Sequence, residues 1–168
     1  MYQYAHEWVK SCDTCTKHKT PAPLNHGLLI PIVTTRPFQI VAIDLVGPLH
    51  VSSTKNKYIL VCIDLFTSWV EATPLKVMTA EEVIKSFFQI VVSRHGCPES
   101  VLSDQGTQFM SSSFEALCTS FNIKHLKTTA YHHQCNGKVE RFIRFLKNSL
   151  ATITPSNNLN KWDQLLNH

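Results

Sequence analysis

The sequence predicts an α/β domain over residues 38–168, with a mixed five-stranded sheet flanked by helices. Two apolar runs, 38–46 and 58–66, are short enough for buried strands. A helix pattern with clear start and stop signals follows from residue 79. Strand-like and helical segments then alternate along the chain. Three strands in series followed by such alternation indicate a mixed sheet.

The first three predicted strands lie close together in sequence. The runs 38–46 and 58–66 are rich in Ile, Val, Leu and Phe, and the polar segment HVSSTKNK between them indicates a hairpin turn. The third run, SWVEATPL, ends at a proline, which cannot donate to a strand ladder. We therefore expect this run to be an edge or terminal strand.

The second half of the predicted domain begins with a helix over TAEEVIKSFFQIVVSRHG. Thr79 and Glu82 have the spacing of a capping box, Arg94 and His95 occupy the last turn, and Gly96 is the stop signal. SVLSD then predicts a short strand, SSSFEALCTSF a serine-capped helix, and IKHLKTT a last short strand.

A final amphipathic helix is predicted from Asn136 to Thr152. At about 100° per residue, one arc is apolar and contains Val139, Phe142, Ile143, Leu146 and Leu150. The other arc contains Glu140, Arg141, Arg144, Lys147 and Asn148. A solvated surface helix would explain this pattern, with Glu140 paired to Arg144 for only about 0.2 to 0.5 kcal/mol.

Composition limits the class of protein. The 168 residues are 43% hydrophobic, which excludes disorder, and the net charge of +4 with a pI near 8.8 favours a polyanionic partner without requiring one. No run approaches the roughly 18 apolar residues of a membrane span, and no secretory pattern opens the chain. We expect a soluble intracellular protein whose six cysteines are reduced, apart from a possible metal pair.

Three acids end different predicted elements: Asp44 and Asp104 each end a strand, and Glu140 lies on the final helix. The first two are far apart in the chain, and the last two have a 35-residue spacing. An ionised carboxylate at a buried strand end is unfavourable unless a cation compensates it, and oxygen ligands suit hard cations such as Mg²⁺. Asp64 is the alternative first acid, with a strand-end or turn role as the other interpretation.

These segments resemble the catalytic core of retroviral and long-terminal-repeat retrotransposon integrases, in the gypsy-like branch. The similarity rests on DLVGPL, YILVCIDLFTSWVEATPL, HGCPESVLSDQGTQF and YHHQCNGKVERFIRFLK, and on the 35-residue spacing. It implies a ribonuclease H-like fold in which Asp44, Asp104 and Glu140 hold two Mg²⁺ or Mn²⁺ ions. It also implies a homo-oligomer that trims DNA ends and joins them to target DNA, in the nucleus or cytoplasm.

The same resemblance supplies candidate DNA contacts. Arg144 and Lys147 would reach phosphates, the loop before the last helix contributes Tyr131, His132, His133 and Gln134, and the start of that helix contributes Asn136 and Lys138. His133 stands where the family commonly has a proline, and Cys135 where it has a small hydroxyl residue. Ser103, Gln105 and Gly106 shape the turn at Asp104, and a positive φ is one reason for the glycine.

Residues 1–20 resemble the remnant of a zinc-binding domain, followed by a proline-containing linker at 21–37. Cys12 and Cys15 form a C-x-x-C, half of a tetrahedral zinc site. The family's two histidines would precede Met1, so we expect zinc only in a longer chain, with His6 and His18 as surface residues. The isolated cysteines are expected to pack or to lie in loops: Cys62, Cys97, Cys118 and Cys135. The family also continues beyond residue 168, which implies a truncated core.

Two alternatives to an integrase core stay open. The same acids would serve another ribonuclease H-like nuclease or DDE transposase. A domesticated or decayed copy would act only as a DNA- or protein-binding module. A terminal-sequence requirement in strand transfer separates the first alternative from an integrase, and loss of catalysis with retained binding identifies the second.

Overall fold

The structure is a computed structural model that describes residues 32–128, 137–153 and 159–167. All of them belong to the second of two units into which the chain divides, Pro31–His168. The predicted zinc-domain remnant and most of the linker lie outside the described residues. Among the helices described, none is long and apolar enough to cross a membrane.

Five strands form one mixed sheet, as the sequence predicts. In chain order they are β1 (Ile40–Val46), β2 (Tyr58–Asp64), β3 (Val70–Leu75), β4 (Ser100–Ser103) and β5 (Lys124–Lys127). The spatial order is β3-β2-β1-β4-β5. The β1–β2 and β2–β3 pairs are antiparallel, whereas β1–β4 and β4–β5 are parallel. β3, with its proline, is an edge strand as expected.

The first two strands are shorter than their apolar runs. β1 cannot begin at Phe38, because this residue has a φ of 53°, which is incompatible with an extended strand. β2 ends at Asp64, where the carboxylate organises the following turn. In both cases a backbone turn that apolarity does not reveal sets the boundary.

Three helices follow the first three strands: α1 (Ala80–Phe87), α2 (Ser112–Ser120) and α3 (Gly137–Ile153). The cap of α1 is confirmed, since the Thr79 hydroxyl accepts from the Glu82 amide, and Gly96 ends the segment at a φ of 87°. The helical segment that begins with α1 continues beyond Phe87 but is not uniform. Phe88–Val92 form a π-helical turn, and Ser93–His95 form a last α-helical turn. A 3-10 helix, Leu159–Asn167, was not predicted.

Helices cover both faces of the sheet and bury two cores. The first core joins alternate residues of β1 and β2 to Val83 and Phe87 of α1 and Phe114 of α2. The second joins the other alternate residues to Val139 and Leu146 of α3 and to Trp162. This division follows from the two-residue side-chain period of strands, which sends successive side chains to opposite faces.

Candidate active site

The pairing of β1 with β4 determines where the two strand-end aspartates lie. Ile40 faces Ser100, Val41 faces Val101 and Ala42 faces Leu102, so the register is constant along the pair. Asp44 follows the last of these pairs by two residues in β1, and Asp104 directly follows the end of β4. Neighbouring strands are about 4.8 Å apart, and the two strands are parallel, so both acids lie at the carboxyl edge of the sheet.

Asp44 faces the side of the sheet that α3 covers. Its neighbours two residues away in β1, Ala42 and Val46, belong to the second core, and strand alternation gives Asp44 the same face. The residue is half-buried, and its Oδ1 accepts from the adjacent Leu45 amide at 2.7 Å. The carboxylate therefore stands at the border between core and solvent.

Asp104 lies on the turn that directly follows β4 and is exposed. Its Oδ1 accepts from the Gly106 amide at 2.9 Å. The suggested positive φ at Gly106 is wrong, because the positive-φ glycines of the described chain are Gly47 and Gly96. A Cβ at this position would lie 3.0 Å from Asp104 Oδ1 and 2.5 Å from Gln108 Nε2, so a larger residue would require these two side chains to shift.

Helix α3 packs on the same face as Asp44. Val139 is fully buried among residues of the second core, which fixes the rotation of the helix at the position before Glu140. The predicted apolar arc is confirmed, and Arg141, Arg144 and Lys147 are exposed. The Glu140 and Lys138 side chains lie outside the described residues, as do Tyr131, Asn136, Cys12 and Cys15, with His132, His133, Gln134 and Cys135.

Asp64 has the strand-end and turn role that was the alternative to a role as first catalytic acid. It is 1% exposed, and its two oxygens accept from the amides of Phe38, Phe66 and Thr67 and from the Thr67 hydroxyl. These donors compensate the buried charge within the protein. Asp64 thus closes the turn after β2 and anchors the chain entering β1.

A second buried acid was not singled out from the sequence. Glu71 of β3 is 8% exposed, and its oxygens lie 2.6 Å from Arg94 Nη1, 2.7 Å from His95 Nε2 and 3.0 Å from Trp69 Nε1. The arrangement joins the edge strand to the last turn of the helical segment. The predicted basic last turn at Arg94 and His95 was the available signal, but its partner lies on a distant strand.

The isolated cysteines that the structure describes behave as expected for packing or loop residues. Cys62 and Cys118 are buried and Cys97 is exposed, and all three are free thiols. Burial, with a smaller contribution from Glu71, raises the pKa of Cys62. Burial likewise raises the pKa of Cys118 to about 11. Both buried thiols are therefore protonated and unreactive at neutral pH.

A cleft of about 700 Å³ lies at a different place from the two aspartates. Its walls come from β3, α3 and the 3-10 helix, and include Trp69, Glu71, Phe142, Leu146 and Leu165. Neither Asp44 nor Asp104 lines it. The Glu71 carboxylate in this cleft is paired with Arg94, so among the described residues the cleft offers no unpaired carboxylate for a metal ion.

The donor chemistry at the strand-end aspartates fits a hard divalent cation. Asp44 and Asp104 offer carboxylate oxygens at one edge of the sheet, and Asp104 is open to solvent. Among the side chains that the structure describes, no group of three or more His, Cys, Asp or Glu residues could hold a metal ion. Glu140 is not among those side chains.

Comparison with known proteins now decides the family. The sequence model of the family described as "Integrase core domain" matches residues 34–133, which include both strand-end aspartates. The chain belongs to the integrase core domain family. The match ends before Glu140, so the third acid rests on spacing and resemblance. Retroviral integrases of this family are DDE-type polynucleotidyl transferases, and the family generally uses divalent metal ions.

Relatives of this integrase core are segments of long polyproteins. The Pol polyprotein from transposon 412 of Drosophila melanogaster is 30% identical over 168 residues, all of this chain and 14% of that protein. The Gag-Pol polyprotein of avian reticuloendotheliosis virus is 31% identical over 154 residues, 91% of this chain and 13% of that protein. The chain therefore spans about one seventh of the first relative and less of the second.

Solved structures confirm the ribonuclease H-like fold. The catalytic core domain of BIV integrase has a TM-score of 0.61 and 25% identity, covering 77% of this chain and 79% of that one. A chain of the simian T-cell lymphotropic virus intasome, solved with a PP2A regulatory subunit, has a TM-score of 0.65 and 24% identity. It covers 100% of this chain and 61% of that one, and we use it for the fold alone.

Proposed function

We propose that this chain is the catalytic core of a retrotransposon integrase, which trims DNA 3′ ends and joins them to target DNA. The observation that carries the proposal is the parallel β1–β4 pairing, which supports a shared site for Asp44 and Asp104 at the carboxyl edge of the sheet. Helix α3 supports it by packing on the same face as Asp44 through Val139, the residue before Glu140.

In this proposal Asp44, Asp104 and Glu140 hold two divalent cations, Mg²⁺ or Mn²⁺. When bound, such ions neutralise phosphate charge and lower the barrier to in-line displacement at phosphorus. In trimming, a water oxygen forms the new P–O bond as the bond to the leaving 3′-oxygen breaks, which leaves a 3′-hydroxyl. In joining, that 3′-hydroxyl oxygen forms a bond to a phosphorus of the target DNA as the bond from this phosphorus to the 3′-oxygen of the target strand breaks. The nucleophile gives up one proton and the leaving oxygen gains one.

The cations of α3 would position the DNA. Arg144 and Lys147 are exposed on the arc away from the core, on the helix that carries Glu140. Phosphate contacts bind DNA without reading its sequence, and each releases condensed counterions. Tyr131, Asn136 and Lys138 complete the proposed DNA-binding set. DNA ends, target DNA and further copies of this chain are the proposed partners, and Cys12 and Cys15 are proposed zinc ligands.

Substitution of the acids tests the catalytic assignment. Asp44→Asn, Asp104→Asn and Glu140→Gln each preserve shape and remove one negative charge. We expect each to abolish Mg²⁺-dependent nicking of supercoiled plasmid and joining of a recessed duplex to it. DNA affinity should stay equal or rise slightly, because one repulsive charge is gone. Glu81→Gln is the matched control, since Glu81 is exposed on α1, which covers the opposite face of the sheet.

The acid variants also separate the alternatives. Retained joining in any of the three would contradict the assigned triad. Normal DNA binding by the unmodified chain, with no nicking or joining in Mg²⁺ or Mn²⁺, would favour a binding module. Nicking without any preference for a terminal sequence in the joining reaction would favour another nuclease of the same fold.

Substitution of the cations tests the DNA-binding assignment. Arg144→Ala and Lys147→Ala should weaken binding to unrelated duplexes alike and lower the salt slope by about 1 each. Lys85→Ala is the matched control, an exposed lysine on α1. Binding is measured by fluorescence anisotropy of a labelled duplex across a salt series. An unchanged slope in both variants would remove these residues from the interface.

A further inference from the structure

A buried imidazole lies behind the turn that carries Asp104. The His125 side chain is 2% exposed and makes a T-shaped contact with the Phe114 ring, with centroids 5.2 Å apart. Its Nε2 lies 2.8 Å from the hydroxyl oxygen of Ser103, which is fully buried at the end of β4. The mechanism proposed above does not use this pair.

Hydrogen-bond roles in this pair are fixed by a third group. The Ser103 hydroxyl donates to the main-chain carbonyl of Asp104 at 2.8 Å, so its single proton is committed. With the proton on Nε2, the imidazole donates to the hydroxyl while the hydroxyl donates to the carbonyl, so that one arrangement satisfies both contacts. Burial is the largest cause of the lowered pKa of His125, which favours the neutral ring.

The hydrogen bonds from the His125 imidazole through Ser103 to the Asp104 carbonyl lie just beyond the last β4–β5 backbone pair. The β4–β5 ladder ends at Ser103 and Lys127, one residue before Asp104. Directly after the last pair of this ladder, the Ser103 carbonyl accepts from the Thr128 amide at 2.9 Å. The Asp104 carboxylate is held in turn by the Gly106 amide. The peptide of Asp104 is therefore fixed from the buried side through Ser103.

We propose that His125, acting through Ser103, is a positioning residue that fixes the direction of the Asp104 carboxylate toward the bound cation. The inference rests on the proposed function, because it takes Asp104 to be a metal ligand. A ligand with a misdirected carboxylate binds its ion more weakly, although the ligand itself is intact. Outer hydrogen-bond partners of metal ligands typically contribute about 10-fold or more to metal affinity.

The test measures metal binding and activity separately. Mn²⁺ affinity of the DNA-free protein is followed by electron paramagnetic resonance of unbound Mn²⁺. The half-saturating Mg²⁺ concentration is taken from plasmid nicking. We expect Ser103→Ala and His125→Leu to weaken Mn²⁺ binding about 10-fold and to raise the half-saturating Mg²⁺ similarly, with activity recovering at high Mg²⁺. His125→Gln keeps an N–H donor and should stay near the unmodified protein.

A matched control separates positioning from general destabilisation. Ser52 is another buried serine, and its hydroxyl bonds to Thr54 and to the Asn56 amide in the β1–β2 connection. Ser52→Ala should lower the unfolding temperature without changing Mn²⁺ affinity. If His125→Leu does not fold, Ser103→Ala alone decides, since it only removes an oxygen atom.

The outcomes distinguish this inference from the proposed function. Unchanged Mn²⁺ affinity in Ser103→Ala, with a loss in Asp104→Asn, would overturn the inference and leave the function standing. Unchanged affinity in Asp104→Asn would overturn both. Equal losses in His125→Gln and His125→Leu would overturn the role of the Nε2 donor.

Discussion

Two aspartates show how little a residue's immediate sequence reveals about its role. Asp44 and Asp64 both end an apolar strand, in AIDL and CIDL. Asp64 is almost inaccessible and accepts from three amides and a hydroxyl, whereas Asp44 is half-buried at the carboxyl edge. The resemblance preferred Asp44, but only the described hydrogen bonds explain Asp64. Those donors come from residues whose own sequence carries no signal of the contact.

This difference predicts opposite effects of the same substitution. Asp64→Asn directs an amide NH₂ at groups that are themselves donors, so we expect the free energy of unfolding to fall by about 2 to 4 kcal/mol. Asp44→Asn should change it by less than about 1 kcal/mol while abolishing nicking. Urea denaturation followed by circular dichroism measures the stability of both variants. Comparable losses of stability in the two would contradict the division between structural and catalytic acid.

At the scale of the element, a helix boundary was predicted well when its signal is a residue at that boundary. The Thr79 cap and the Gly96 stop are short-range features, and both are confirmed. The π-helical turn Phe88–Val92 has no cap or breaker to announce it. The apolar arc of α3 also follows from periodicity, and its residues Val139 and Leu146 are buried in the second core.

Neighbouring residues of α3 provide a test of that rotation. Leu146 is 9% exposed in the second core, whereas Phe145 is 66% exposed. Leu146→Ala should lower the free energy of unfolding by about 2 to 5 kcal/mol, because it removes core contacts and leaves a cavity. Phe145→Ala should stay within about 0.5 kcal/mol despite deleting a larger side chain. Thermal unfolding of the two variants makes the comparison, and a larger loss for Phe145→Ala would mean that the helix is rotated.

At the scale of the whole molecule, the sequence predicted five strands but not how they pair. The contact between β1 and β4 joins segments that are far apart in the chain, and it aligns the strand ends at which Asp44 and Asp104 lie. Nothing local to either strand encodes that pairing, so the family resemblance had to supply it. The 3-10 helix was missed for a related reason, since KWDQLLNH carries no strong cap and is held by distant partners.

Those partners lie in the β1–β2 connection. The Trp162 indole donates to the His50 carbonyl at 2.6 Å, with the ring 3% exposed. Asp163, 5% exposed, accepts from Asn56 at 2.9 Å and from the Thr54 hydroxyl. Two adjacent side chains thus tie the last described element to a loop in the first half of the chain.

This attachment predicts how stability depends on acidic pH. Burial raises the pKa of Asp163, but hydrogen bonds from Ser52, Thr54 and Asn56 together outweigh it, so the folded pKa lies below the ordinary value of an aspartate. The unfolded chain therefore takes up the proton first as pH falls. The stabilisation by Asp163 is complete above about pH 4 and is lost below it, as pH falls through the folded pKa.

Asp163→Ala should lower the free energy of unfolding by about 1 to 3 kcal/mol at neutral pH and remove that part of the acid dependence. Urea denaturation from neutral to acidic pH measures both effects, with Glu81→Gln as an exposed acidic control. If Asp163→Ala leaves the acid dependence of the unmodified chain intact, the 3-10 helix is not held by this carboxylate.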